Sequence, residues 1–121
     1  MDVYSCWMFG LSLDPNVFKC TTAEFADQLQ EAGIPGTGMG KYYLMPEACT
    51  FLDDKARNSV YPYSIPPDTR KYRYGADSCP NAKAFLENFI RWFTFGHKYQ
   101  ARHCRLAAEI VGQVAARLRR T

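Results

Sequence analysis

Cysteine and histidine can form thiol nucleophiles and zinc sites, and four of them occur in the C-terminal part of the sequence: Cys79, His97, His103 and Cys104. A Cys79–His97 pair would supply a nucleophile and its base. Cys79 also precedes a predicted helix, whose dipole would lower the pKa of its thiol. The position suits an ordinary residue at a helix junction equally well, so the pair alone does not define a catalytic site.

A zinc site is the other chemistry that these residue types allow. His103 and Cys104 are adjacent on a predicted helix, so their side chains point about 100° apart. Neither has a second ligand residue one turn away, which helical zinc motifs need. We interpret His103 as a half-buried residue of a core-facing stripe and Cys104 as a small helix residue, and we predict no metal ligand in the chain.

The glycine-rich stretch 36–41, Gly-Thr-Gly-Met-Gly-Lys, has the composition of a phosphate-binding loop. It has neither the G-x-x-x-x-G-K-[ST] nor the G-x-G-x-x-G spacing, and no predicted strand leads into it. The pattern therefore favours a flexible connection over a phosphate site.

Lysine would be needed for a Schiff base, and six lysines are present: Lys19, Lys41, Lys55, Lys71, Lys83 and Lys98. None follows a strand in a Ser-x-x-x-Lys setting. The acidic pairs Asp53–Asp54 and Glu24 with Asp27 are typical of a solvated surface and do not indicate paired carboxylate catalysis.

The 121 residues are 47% hydrophobic, enough for one core, so a single domain over 1–121 is expected. The net charge of +3 is spread along the chain apart from an arginine cluster near its end, which makes a nucleic-acid partner unlikely. No secretory signal and no apolar run long enough to cross a membrane is visible. Five cysteines without close pairs favour reduced thiols and a cytoplasmic location.

The first strand and the first helix are predicted from the periodicity of apolar residues and from helix-capping residues. Residues 3–13 alternate with period two, which indicates a strand. Residues 22–32 have a helical apolar face, opened by a Thr21–Glu24 capping box and ended by Gly33.

The segment 36–78 is rich in Gly, Pro and Tyr and is predicted to be a long loop region. A short strand near 41–45 and a helical turn near 46–56 are compatible with its pattern. A loop of this length inside a domain is usually functional or held by a partner, and tyrosines suit contact surfaces.

Regular structure is predicted again after this loop. The patterns indicate a short helix over 80–88, a buried aromatic strand over 90–95 and a long amphipathic helix over 99–119. The order predicts an α+β fold, a two-layer sandwich in which helices cover one face of a small, mostly antiparallel sheet.

The order and spacing of several segments resemble the C-terminal small domain of the DegT/DnrJ/EryC1/StrS family of pyridoxal-phosphate-dependent sugar aminotransferases. The similar segments are Tyr4 to Phe9 with its Y-x-x-W pattern, the Gly33–Ile34 helix end, the Cys79-Pro80-Asn81-Ala82 run, the strand Phe89–Phe95 and the closing helix 99–119. They span nearly the whole chain, but only about the last third of a family member.

The resemblance implies the small domain of a fold-type I aminotransferase, which closes part of the substrate cleft and is not catalytic alone. The cofactor and its Schiff-base lysine would belong to a missing large domain, so no cofactor is expected in this chain by itself. The resemblance also implies that Lys41, Tyr42 and Tyr43 face the substrate, although these tyrosines can equally pack on Trp7 or Phe51. Family members commonly have a His-Tyr pair in this loop, and this sequence has no histidine before residue 97.

Two other functions stay open. The chain could be a stand-alone interaction module that kept the fold and lost the chemistry, and apolar surface left uncovered would then favour a homodimer. A small independent enzyme using Cys79 or His97 is the third hypothesis. The amino donor and acceptor cannot be predicted from the sequence.

Overall fold

The structure of the chain is a computed structural model that describes residues 8–39, 44–65 and 72–120. The chain divides into two units, each described by itself. Unit 1 comprises Met1–Gly40 and Leu86–Thr121, and unit 2 comprises Lys41–Phe85. Unit 2 contains the Tyr-, Pro- and Gly-rich stretch from residue 41 onward together with residues 79–85, whereas residues 36–40 belong to unit 1.

A three-stranded antiparallel sheet forms the centre of unit 1. Its strands are β1 (Phe9–Ser12), β2 (Thr37–Met39) and β3 (Phe89–Trp92), in the order β1-β3-β2. The last strand of the chain is therefore the central one and pairs with both neighbours.

The helices of unit 1 pack on one face of this sheet. They are α1 (Thr22–Glu31) and α5 (Ala101–Leu118), and their apolar residues share one core with Ile90 and Trp92 of β3. The predicted α+β class, with a small antiparallel sheet and helices on one face, is confirmed. Of the strand predicted over 3–13, residues 3–7 lie outside the described residues and β1 forms at Phe9–Ser12. The helix predicted over 22–32, the strand over 90–95 and the helix over 99–119 are found as α1, β3 and α5, with ends that differ by at most three residues.

Both ends of α1 follow from local chemistry that the sequence predicts. The backbone N–H of Glu24 donates to the Thr21 hydroxyl, and the Thr21 N–H donates to the Glu24 carboxylate at 2.7 Å, which completes a capping box. The Thr21 hydroxyl also donates to this carboxylate at 2.9 Å, and the Thr21 N–H and then the Thr21 hydroxyl lower the pKa of Glu24. At the other end Gly33 has a φ of 104°, a left-handed conformation that glycine adopts without strain. The Ile34 N–H then donates back to the Leu29 carbonyl at 2.9 Å, as in a Schellman motif.

The C-terminal end of α5 is tied to the segment before α1. The Lys19 N–H donates to the Leu118 carbonyl and the Arg120 N–H to the Val17 carbonyl, at 3.0 and 2.8 Å. The Arg120 guanidinium also donates to the Phe18 carbonyl. These bonds hold the arginine-rich segment at the end of α5 against the segment that precedes α1.

The interior of unit 1 is apolar and continuous. Leu29, Phe25, Ile34 and Ile90 are at most 2% exposed and share one cluster with Trp92 and with Ala107 and Val114 of α5. Residues of α1, β3 and α5 belong to this cluster and Leu11 of β1 packs against it, so the core holds the sheet against both helices.

The described part of the stretch 36–78, predicted to be a long loop region, contains more regular structure than the expected helical turn. It holds β2, α2 (Met45–Ala48), α3 (Thr50–Arg57) and a 3-10 helix at Ala76–Ser78, followed by α4 (Pro80–Glu87). The helical turn expected near 46–56 corresponds to α2 and α3, whereas most of the strand expected near 41–45 lies outside the described residues. Glycine weakens strand propensity, so β2 forms only because β3 supplies its hydrogen-bond partners.

Unit 2 is organised around a carboxylate instead of an apolar core. Among its described residues only Asp53 and Ala56 are buried. Asp53 accepts a hydrogen bond from the Tyr74 N–H at 3.0 Å and forms an ion pair with Arg57. The Tyr74 N–H, and after it the Arg57 guanidinium, lower the pKa of Asp53. Both Asp53 and Asp54 are predicted to lie on a solvated surface. Asp54 is exposed, but Asp53 is buried, so the prediction is wrong for Asp53.

Three tyrosines complete unit 2. The rings of Tyr63, Tyr72 and Tyr74 have centroids 5.7 to 6.2 Å apart, and the hydroxyls of Tyr63 and Tyr74 are 3.1 Å apart.

Of the helices that the structure describes in either unit, none is long and apolar enough to cross a bilayer.

Truncation of Leu29 tests the core of unit 1. Leu29→Ala should lower the free energy of unfolding by about 2–5 kcal/mol, because the side chain is fully buried and its removal leaves a cavity. Urea unfolding followed by tryptophan fluorescence measures this. Leu106→Ala is the matched control, since Leu106 is 56% exposed on α5, and it should change the value by no more than about 0.5 kcal/mol. Equal losses in the two variants would contradict the described core.

Lowering the pH should decrease the stability of unit 2, because it protonates the Asp53 carboxylate. Because folding lowers the pKa of this carboxyl, its stabilising effect is present above its ordinary pKa of about 3.9 and is lost as the pH falls through the lower folded value. The urea midpoint of the tyrosine near-ultraviolet circular dichroism should therefore fall between pH 7 and about pH 3. Asp53→Asn should lower the midpoint at pH 7 and reduce this pH dependence. Asp54→Asn, at an exposed neighbour, should behave as the wild type, and an identical pH response in Asp53→Asn would refute the assignment.

Candidate functional site

The face of the sheet opposite α1 and α5 carries an unusual row of residues. Strand register places Gly10 of β1 and Gly38 of β2 directly beside Arg91 of β3, one on each side. Side chains alternate along a strand, so Arg91 points away from the face on which its neighbours Ile90 and Trp92 enter the core. Arg91 is thus flanked on both neighbouring strands by a glycine, which has no side chain.

Aromatic rings lie along the same face. Phe89 and Phe93 are two residues before and after Arg91, and the Arg91 guanidinium lies over the Phe93 ring at 4.4 Å. The Phe89 ring lies across Gly10 so closely that a Cβ on Gly10 would overlap it, whereas a Cβ on Gly38 would meet nothing within 4 Å. Phe89 therefore needs glycine at position 10, while the space beside Gly38 is open. We call Gly10, Gly38, Phe89, Arg91 and Phe93 the arginine face.

The groups on the arginine face are suited to binding. A guanidinium pairs with carboxylates and phosphates through its planar set of N–H donors, and stacking on an aromatic ring fixes its plane. Phe89 and Phe93 offer surfaces on which flat groups can pack. Ser12, exposed at the end of β1, adds a hydroxyl on the same side of the sheet. This set can hold an anionic or planar group, but it contains no nucleophile paired with a base.

The predicted substrate-facing residues Lys41, Tyr42 and Tyr43 lie outside the described residues. In sequence they follow β2, the strand that carries Gly38, by two to four positions. Their role stays a prediction from the resemblance.

The cysteines and histidines considered for chemistry are dispersed. Cys79 is a half-buried residue directly before α4, and His97 is exposed after β3. The His103 ring accepts a hydrogen bond from the Gln100 N–H at 2.9 Å and so caps α5, and Cys104 is exposed on the same helix. Within residues 8–39, 44–65 and 72–120, no three His, Cys, Asp or Glu side chains form a group that could hold a metal ion.

The described lysines do not fit a pyridoxal-phosphate aldimine. Lys19, Lys55, Lys83 and Lys98 are all exposed, and the Lys83 ammonium forms an ion pair with Asp77 at 3.2 Å. A Schiff-base lysine needs an enclosed site that lowers its pKa and positions it toward substrate. In the part of the chain that the structure describes, no lysine has such surroundings.

Sequence reasoning missed the arginine face, although two signals for it were present. Arg91 is a charged residue within an otherwise apolar aromatic strand. This indicates that the odd-numbered residues of that strand point away from the core. Gly10 lies within the strand predicted over 3–13, where glycine often marks a close approach of another group. Strand pairing was the missing information, because only the register places Gly10 and Gly38 beside Arg91.

Comparison with known proteins does not identify this arrangement. The chain matches no family model, no curated protein and no solved structure.

Substitution of the two glycines should separate their roles. Gly10→Ala should lower the free energy of unfolding by about 1–3 kcal/mol, because the new methyl group forces the Phe89 ring to move. Gly38→Ala is the matched control and should change it by no more than about 0.5 kcal/mol, since the added methyl group meets open space. Urea unfolding of both variants checks this, and a neutral Gly10→Ala would contradict the described position of Phe89.

Proposed function

We propose that this chain acts as the small domain of a pyridoxal-phosphate-dependent sugar aminotransferase and closes part of the substrate cleft of a large domain. It is not catalytically competent alone. The observation that carries the proposal is the arginine face, a surface suited to binding and without catalytic groups, on a sheet whose other face is covered by helices.

The arrangement of unit 1 supports this role. Of the first similar segment, Tyr4 to Trp7 lie outside the described residues and Phe9 begins β1; the other segments correspond to the end of α1, the start of α4, β3 and α5. All of these except the start of α4 belong to unit 1. Most of the similar segments therefore contribute to one folded unit, which supports the proposal that they form one domain.

The chemistry of the arginine face suits the substrates that the resemblance implies. A keto-sugar nucleotide carries phosphates, and amino donors such as glutamate carry carboxylates. Arg91 offers the planar donor set that both anions bind, and Gly38 leaves room for a ligand to approach the sheet. In this proposal Arg91 binds and orients an anionic substrate group, and Lys41, Tyr42 and Tyr43 contribute from the segment after β2.

The proposal divides the chemistry between two domains. The Schiff-base lysine and the cofactor would be supplied by the large domain, and this chain would exclude water and hold substrate. The isolated chain should therefore form no aldimine with pyridoxal phosphate that survives dilution. A stoichiometric, dilution-resistant aldimine at one lysine would overturn the proposal.

The role of Arg91 is tested in the whole enzyme. The DNA upstream of the Met1 codon is read for an in-frame cofactor domain, and the complete protein is expressed with Arg91→Ala, Arg91→Lys or Arg102→Ala. Arg91→Ala should raise KM for an anionic substrate about tenfold or more, because a charge-assisted hydrogen bond is lost. Arg91→Lys should restore part of this loss, and Arg102→Ala, at an exposed position of α5, should have no effect. Equal KM values for Arg91→Ala and Arg102→Ala would contradict the assignment.

A stand-alone, self-associating module is the second candidate, favoured by exposed apolar side chains in unit 1. Phe9, Phe93 and Leu106 are 41%, 48% and 56% exposed. Surfaces of this kind favour association when no other domain covers them. Light scattering at micromolar concentration should then show a homodimer that Phe93→Ser weakens. A monomer at that concentration would count against this function.

A further inference from the structure

An apolar cavity of about 320 Å³ lies in unit 1 on the helix side of the sheet, away from the arginine face. Its floor consists of core residues that are almost fully buried, including Leu29 and Ile34. Residues of α5, among them Ala107, Ala108 and Cys104, form the opposite wall.

Three aromatic rings form one side of this cavity. Phe9 and Trp92 meet edge to face with centroids 6.3 Å apart, and Phe95 lies 5.5 Å from Phe9 and 5.1 Å from Trp92. Ring edges and faces are therefore offered in several orientations. An aromatic guest can make edge-to-face and offset contacts with such a wall, which an aliphatic guest cannot.

The polar groups around the cavity already have partners. The Thr37 hydroxyl donates to the Ile34 and Ala26 carbonyls at 3.1 and 3.3 Å. The Trp92 indole N–H donates to the Thr94 hydroxyl at 2.8 Å, and that hydroxyl donates to the Pro35 carbonyl. A guest with its own N–H, hydroxyl or charge would lose its bonds to water without replacing them well, so such guests are disfavoured.

The volume of the cavity suits a small organic ligand. Ligand pockets commonly start at about 300 Å³, and a dry apolar cavity of about 150 Å³ already suffices to bind benzene. One or two fused rings would fit into the space between the sheet and α5.

We propose that this cavity is a binding site for a small, neutral aromatic molecule of one or two rings. The site is distinct from the arginine face, because Phe9 and Trp92 lie on the opposite side of the sheet from Arg91. It is independent of the aminotransferase proposal, and either can fail without the other.

Cys104 supplies a direct readout, since its thiol lies at the cavity wall and is exposed. Indene, a neutral two-ring hydrocarbon, should slow alkylation of Cys104 several-fold in a saturable manner and raise Tm with concentration. Cys20, Cys49 and Cys79 are internal references, because none of them lines the cavity, and their alkylation should be unchanged. Indole, which adds one N–H, should bind about tenfold more weakly.

Variants that fill the cavity should abolish this protection. Ala107→Phe places a ring inside, and Ala108→Phe at the more exposed wall is the second variant, should the first fail to fold. Ala116→Phe, at an exposed position of the same helix outside the cavity, is the matched control and should keep indene binding. The proposal is refuted if indene protects the four cysteines of the described residues alike, or none of them. It is equally refuted if the folded cavity variants bind indene as Ala116→Phe does.

Discussion

The alternation of side chains along β3 is the constraint on which the rest of unit 1 depends. Ile90 and Trp92 enter the core, and Arg91 between them leaves it. Because β3 pairs with both other strands, its register decides which residues of β1 and β2 face the helices. A slip of one residue would bring a guanidinium into the core and expose Trp92, so the apolar cluster and the charged face fix the register together.

This constraint also explains which parts of the fold follow from the sequence. The ends of α1 are encoded within a few residues, by Thr21 and Glu24 at one end and by Gly33 and Ile34 at the other, so sequence reasoning finds them. The same holds for α5, whose apolar stripe faces one core. The strand β2 is different, because Thr37-Gly38-Met39 has little strand propensity and forms its bonds only with a strand more than fifty residues later. Pairing over such a separation has no local signature.

The candidate site is even harder to predict from the sequence, because it also depends on pairing between distant segments. Arg91 can be recognised in the sequence as a charged residue within an aromatic strand, but its glycine neighbours come from the two other strands. The cavity beside Trp92 likewise joins β1, α1, β3 and α5. The Lys41–Tyr43 segment is a different case, since it was chosen from a family resemblance and lies outside the described residues. Sites assembled from several elements require the tertiary pairing to be known first.

The two units are stabilised by different kinds of interaction, and this difference has a consequence for dynamics. Unit 1 buries large apolar side chains such as Phe25 and Leu29, whereas the described part of unit 2 buries only Ala56 and Asp53. Apolar burial contributes free energy in proportion to area, while an ion pair and a few hydrogen bonds contribute little net stability in partly exposed surroundings. Local opening occurs first where few apolar contacts are buried. Unit 2 should therefore open before unit 1, because its described residues bury too little apolar surface to hold it closed.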